Sequence, residues 1–150
     1  MVVTVENRGT IVIELNTDKA PKAANHIAGL ANRNFYDGQR FFRVVKEPRP
    51  FLVQTGDPAS RDNLDAAGTG GSGARIPYEN SGLPYEAGYV GLATLPNDRD
   101  SGDSQFFILL GPASFLEGQY TIFGRVIQGM NVVQAIQRGD RITSVRITRG

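Results

Sequence analysis

The spacing of apolar and polar positions changes period several times along the chain, and each change marks an element. Residues 2–6 and 10–15 alternate or run β-branched around Asn7-Arg8-Gly9, which has the composition of a turn, so an antiparallel hairpin is predicted. Ile11, Ile13 and Leu15 then share one face. From Ala20 the spacing lengthens: Ala20, Ala23, Ala24, Ile27, Ala28 and Ala31 follow the recurrence of an amphipathic helix. Asp18 stands where a cap would sit, and Pro21 suits a first turn.

After a turn at 34–38 come two strand-like runs, Phe41-Phe42-Arg43-Val44-Val45 and Phe51-Leu52-Val53-Gln54. Pro48 and Pro50 separate them, because proline cannot donate to a ladder. The pair carries two polar side chains, Arg43 and Gln54, that are costly to bury without partners. Residues 55–89 hold no period for more than a few positions, and a loop that long in a compact domain is usually functional. Strands are predicted at 89–95, 105–110, 121–127 and 142–148. A second helix is predicted at 130–137, with Val132, Val133 and Ile136 inward and Gly139 past its end. Seven or eight strands, two helices and no repeated β-α-β unit predict a mainly β fold, an antiparallel sheet closed into a barrel.

Composition narrows the chemistry. The 150 residues suit one domain, 1–150, and 16 Lys and Arg against 15 Asp and Glu leave no field for capturing nucleic acid. Thirteen of those cations are Arg, which directs attention to bidentate or stacked roles. No cysteine is present, so disulfides, thiol catalysis and thiolate metal sites are excluded. No apolar run reaches the roughly 20 residues of a membrane span, and Met1-Val2-Val3-Thr4 leads into strand-like sequence rather than a signal peptide. A soluble, cytoplasmic protein is expected, although an exported chain stripped of its leader would read the same.

Several motifs have a plain reading beside a functional one. Gly68-Thr69-Gly70-Gly71-Ser72-Gly73 has dinucleotide-site spacing but neither follows a strand nor opens a helix, so a tightly turned or flexible loop is expected. Asp98, Asp100 and Asp103 suggest a calcium loop, but the position requiring glutamate is Leu109, so a solvated acidic turn is expected. His26, the only histidine, falls in the first helix and reads as a flanking imidazole, so no Ser-His-Asp triad can be assembled. Phe106 and Phe107 are strand neighbours, so one faces the interior and one faces out. An outward Phe107 beside Arg43, Phe51, Leu52, Gln54 and Leu116 either forms an apolar pocket rimmed by donors or is partly plain core.

The order of these segments resembles the cyclophilin family of peptidyl-prolyl cis-trans isomerases. The resemblance rests on Phe42-Arg43-Val44-Val45, Phe51-Leu52-Val53-Gln54-Thr55-Gly56-Asp57, Gly68-Thr69-Gly70-Gly71, Ser104-Gln105-Phe106-Phe107-Ile108 and Phe123-Gly124-Arg125-Val126, and it covers residues 2–148. It implies a closed eight-stranded antiparallel barrel capped by two helices, with the site in a groove on the outer face. By resemblance Arg43 is the catalytic arginine and Gln54 bonds the substrate backbone, while Phe51, Leu52, Phe107 and Leu116 form the proline pocket. Ala93 and Thr94 bind the residues before proline through main-chain groups, and Gln105 lines the groove.

Three departures from the family pattern stand out. Tyr120 replaces a frequent histidine but keeps an aromatic wall, as bacterial relatives do. Phe115 replaces a tryptophan associated with tight cyclosporin binding, so only weak binding of that drug is expected. Glu47-Pro48-Arg49 reads as an insertion, and the 95–104 turn is long by family standards. The implied activity is isomerisation of X-Pro bonds in peptides and unfolded chains, assisting folding, by a monomer with no metal or cofactor. A proline-segment binder without turnover is the alternative; a hydrolase acting through Ser104 or Asp57 lacks a histidine partner.

Overall fold

The structure, a computed structural model, describes residues 1–149. In chain order the elements are β1 Val2–Val5, β2 Gly9–Leu15, α1 Pro21–Asn32, β3 Arg43–Val45, β4 Leu52–Thr55, β5 Tyr89–Leu92, β6 Phe106–Leu109, β7 Ile122–Gln128, α2 Met130–Ala135 and β8 Ile142–Arg146. Short 3-10 turns lie at Pro58–Arg61, Leu64–Ala66 and Ser114–Leu116. The strands form one eight-stranded sheet in the order β3-β4-β6-β5-β7-β2-β1-β8, with every ladder antiparallel.

The sheet curls but does not close as a ladder, which corrects the expectation of a closed barrel. Its edge strands β3 and β8 are not paired; the ends meet at one isolated bridge, Arg40 opposite Arg141. Four main-chain bonds hold that seam: Gly38 N to Ile142 O at 2.8 Å, Ile142 N to Gln39 O at 2.8 Å, Phe41 N to Asp140 O at 2.9 Å, and Gly139 N to Phe41 O at 2.8 Å. Gly38 (φ +83°) and Gly139 (φ +97°) turn the chain at either side, so no longer pairing can develop.

Alternation of side chains sorts the strands into two apolar layers. Val3, Val5, Ile11, Ile13, Val53, Val90, Phe106, Ile108, Phe123 and Val145 point into the curl with α1 and α2 residues and form the main core. Leu52, Phe107, Leu109 and Ile122 point the other way and form a smaller cluster with Tyr85 and Ala113. Phe106 and Phe107 therefore part company as their adjacency requires.

Helix α1 buries Ala23, Ala24, Ile27, Leu30 and Ala31, and Pro21 does occupy its first turn. Asp18 does not cap it. Ala20 is the N-cap and bonds nothing through its side chain; instead the Glu79 carboxylate accepts from Lys22 N at 3.0 Å and Ala23 N at 2.9 Å. A carboxylate satisfies orphan amides and the helix dipole whichever part of the chain supplies it. Helix α2 ends at Ala135, short of the predicted 137, because Ile136 is already extended (φ −59°, ψ 134°).

Candidate active site

Register places the predicted polar pair and the predicted aromatic in one line across the outer face. Arg43 lies opposite Gln54 in the β3–β4 ladder, Gln54 opposite Phe107 in β4–β6, and Phe107 opposite Gly91 in β5–β6. A guanidinium, an amide and a phenyl ring therefore stand side by side on three neighbouring strands. Glycine at 91 is what lets the ring lie flat, since a Cβ there would overlap the tip of Phe107. Gly91 was not anticipated from the sequence, where a lone glycine inside a strand pattern, the usual mark of close approach, is the signal that points to it.

This line opens into a cavity of about 290 Å³ bordered by Arg43, Phe51, Leu52, Gln54, Ala93, Thr94, Phe107, Phe115, Leu116 and Tyr120. Every residue assigned to the groove from sequence is there except Gln105. Phe107 and Tyr120 meet edge to face, with ring centroids 5.4 Å apart, and Phe51 lies 5.8 Å from Phe115. Phe115 itself is 67 % exposed, a large apolar ring held in water at the rim. Tyr85 fixes the Tyr120 segment by donating its hydroxyl to Tyr120 O at 2.5 Å; burial pushes its phenol above the ordinary range, so it remains a donor. The Ala93 N–H is already given to Gln105 O at 2.9 Å, so Ala93 can offer a substrate only its carbonyl. That narrows the main-chain role expected of it, leaving Thr94 as the available N–H.

Gln105 belongs to the adjoining depression of about 230 Å³, which shares Ala93 and Thr94 with the first. It connects to the groove through hydrogen bonds that all run one way. Arg43 Nη1 donates to Gln54 Oε1 at 3.2 Å, Gln54 Nε2 to Gln105 Oε1 at 3.0 Å, and Gln105 Nε2 to Gly70 O at 2.9 Å. Gly70 N in turn donates to the buried Asp57 at 2.8 Å. Each amide is thereby oriented, and Arg43 is steered by one bond while the rest of its exposed fork stays free.

The glycine-rich segment is tightly held. Asp57 accepts from Ala59 N, Gly68 N and Gly70 N, and Asp103 accepts from Ser72 N, Gly73 N and Ala74 N. A Cβ on Gly70 would run into the Asp57 carboxylate, and one on Gly71 into that of Asp103. Glycine is thus required for two carboxylates to reach the backbone, not for a phosphate. The acidic turn is correspondingly not merely solvated: Asp98 pairs with Arg75 at 2.6 Å and Asp100 accepts from Tyr78 N at 2.8 Å. Among the described residues no group of three or more acidic or histidine side chains is placed to hold a metal ion.

His26 flanks α1 as expected and pairs with Asp103 Oδ1 at 2.9 Å, tying the helix to the acidic turn. Neither candidate nucleophile is poised for attack. Ser104 is buried and donates to Gly56 O at 2.7 Å, while Asp57 is occupied with backbone amides. The curled antiparallel sheet thus carries a donor-rimmed apolar socket on its outer face, with neither candidate nucleophile free beside it.

The sequence model described as cyclophilin type peptidyl-prolyl cis-trans isomerase/CLD matches residues 1–149. A Brucella suis protein named "Probable peptidyl-prolyl cis-trans isomerase" is 40% identical over 138 residues, covering 88% of this chain and 68% of the relative. The Homo sapiens peptidyl-prolyl cis-trans isomerase-like 1 is 38% identical over 134 residues, covering 85% of this chain and 74% of its own length. A Cryptosporidium parvum cyclophilin type isomerase, crystallised in the presence of the dipeptide Ala-Pro, superposes with a TM-score of 0.84 at 25% identity, covering 99% of this chain and 98% of that one. The chain belongs to the cyclophilin-type peptidyl-prolyl cis-trans isomerase family. It is an isomerase by class, and rotation about X-Pro bonds is its reaction.

Proposed function

We propose that Arg43 is the catalytic group and that the cavity beside it holds the proline ring of the substrate. An X-Pro bond turns slowly because amide resonance must be broken, at a cost of about 18–20 kcal/mol. In the twisted state the prolyl nitrogen regains a localised lone pair. A guanidinium aimed at that nitrogen stabilises it, stays charged across working pH and needs no metal. The single observation that carries this reading is the row Arg43–Gln54–Phe107, which sets a free cationic fork at the lip of an apolar socket.

Phe51, Leu52, Phe107, Leu116 and Tyr120 restrain the ring, while Gln54 and the main chain at Ala93 and Thr94 hold the segment before it. Rotation is then confined to one bond, and the twisted form is bound better than either planar form. A rate gain on the order of 10⁵ corresponds to about 7 kcal/mol, which a charge-assisted hydrogen bond and positioning supply jointly.

The substrates in this reading are proline-containing peptides and unfolded chains, an inference supported by the Ala-Pro dipeptide named with the structural relative. Phe115 has no indole N–H to donate, so cyclosporin binds weakly. The protein acts as a monomer in the cytoplasm; sedimentation and cell fractionation test those two points. Exchange spectroscopy on an X-Pro peptide tests the activity itself: added protein speeds cis-trans exchange if the groove is catalytic. A protein that binds the peptide and leaves the exchange rate unchanged is a proline-segment binder, and the proposal fails.

A further inference from the structure

We propose that the seam where the curled sheet meets itself is a binding site for a phosphoryl group, held between Arg40 and Arg141. These two residues face each other directly in the isolated antiparallel bridge that joins the ends of the sheet. Residues so placed carry side chains about 4.5–5.5 Å apart at Cβ, and like charges there repel. Both residues are half-buried, and neither forms an ion pair among the described residues. A like-charged cross-strand pair without a counter-charge is an arrangement that an anion between the two forks would complete.

The surroundings favour that occupant. Arg40 and Arg141 border a cavity of about 470 Å³ that shares no lining residue with the substrate groove. Arg8 and Asp140 also line it, but they neutralise one another in an ion pair at 2.9 Å. Glu6 is the one other acidic residue at the cavity; it is exposed and pairs with neither arginine. Arg61 is a further cation nearby, since its Cγ and Cδ border the same space over Gly38 that Arg141 Nη1 borders. It commits Nε to Asp37 O and one Nη2 donor to Phe35 O and does not line the cavity, so it contributes field rather than contact.

Both arginine backbones are pinned before any ligand arrives. Arg40 N donates to Ser60 Oγ at 2.9 Å, and Arg40 O accepts from Thr55 Oγ1 at 2.9 Å. Arg141 O accepts from Glu6 N at 2.9 Å, and its guanidinium is oriented by Nη1 donating to Gly38 O at 2.9 Å. Among the described residues Arg40 commits no side-chain donor, and Arg141 commits one. Two planar forks on opposed strands offer donors in excess of what a carboxylate can accept, whereas a tetrahedral phosphoryl group has enough oxygens for both.

The test titrates the whole chain with inorganic phosphate and, separately, with O-phosphoserine, against sodium chloride at matched ionic strength, reading the Arg Nε–Hε resonances. Saturable shifts at Arg40 and Arg141 are expected with the phosphoryl ligands only. R40Q and R141Q each weaken binding about tenfold, and E6Q tightens it. Tighter capture of O-phosphoserine assigns the ligand to phosphorylated chains, and tighter or equal capture of phosphate to the free ion. In phosphate-free buffer R40Q melts no lower than the unsubstituted protein, because a repulsion has been removed. X-Pro isomerisation by R40Q is unchanged, so this site stands or falls separately from the groove. Shifts that chloride reproduces, or saturable binding that survives both R40Q and R141Q, overturn the proposal.

Discussion

Arg43 and Gln54 are cross-strand partners in the β3–β4 ladder, and the guanidinium donates to the amide oxygen at 3.2 Å. Gln54 is 8 % exposed and its amide is oriented on the far side by Gln105, so it works as a fixed guide for an exposed fork. Arg43→Ala is expected to leave stability within about 0.5 kcal/mol, as for other exposed positions. It lowers the isomerisation rate about 10²–10³-fold, the range seen when one preorganised donor is lost. Gln54→Ala lowers it less, and the two changes are non-additive with a coupling of about 0.5–3 kcal/mol. A double-mutant cycle by exchange spectroscopy measures this; strict additivity would separate Gln54 from the arginine.

Gly91 and Phe107 give a second prediction. The Cβ of Gly91→Ala has no room beside the ring, so the ring must swing into the cavity or the strands must part. Overpacking of this kind costs about 1–3 kcal/mol. Denaturant midpoints report the stability loss, and a raised KM for an X-Pro peptide reports the narrowed pocket. An Ala variant with unchanged KM and midpoint would show that the ring does not need the glycine.

Glu79 caps α1 from 57 positions away in sequence. Glu79→Ala is expected to destabilise the fold by about 0.5–2 kcal/mol, the usual range for a lost cap. Faster amide exchange at Lys22 and Ala23 accompanies it. Asp18→Ala, by contrast, is close to neutral, since the side chain of Asp18 makes no cap bond.

The Asp103 latch sets a pH dependence. Partial burial pushes its carboxyl up, but hydrogen bonds from Ser72, His26 and Gly73 outweigh burial and hold it below the usual carboxylate range. A carboxylate depressed on folding contributes stability at and above the ordinary aspartate value and loses it as pH falls through the lowered one. The 70–74 segment is therefore expected to stay ordered from neutral pH to the ordinary aspartate range and to loosen only below it. A carboxyl-carbon titration checks this: an Asp103 midpoint at or above that of a free aspartate would contradict the latch. Asp103→Asn should loosen the segment at every pH.

Much of this protein was legible one element at a time. The hairpin at 2–15, the alanine-rich helix, the paired runs at 41–45 and 51–54 and the late strands are all local periodicities, and each appears within a few residues of its predicted bounds. The family followed from short segments in series, and those segments also supplied the groove residues. What was not legible depends on which distant residues meet. The caps of α1 and of the glycine loop come from Glu79, Asp57 and Asp103, and nothing in the local pattern of those carboxylates distinguishes them from solvated ones.

Sequence alone determined the strand and helix types, the two-faced alternation that separates Phe106 from Phe107, and the family. Tertiary structure decided the rest: that Arg43, Gln54, Phe107 and Gly91 fall in one row, that the ends of the curled sheet meet around the bridge of Arg40 and Arg141, and that the acidic turn anchors a loop. The physical reason is that a period is set by neighbours along the chain. Register, closure and carboxylate partners are set by pairings between segments far apart in sequence, each chosen in competition with every other way of folding the same chain.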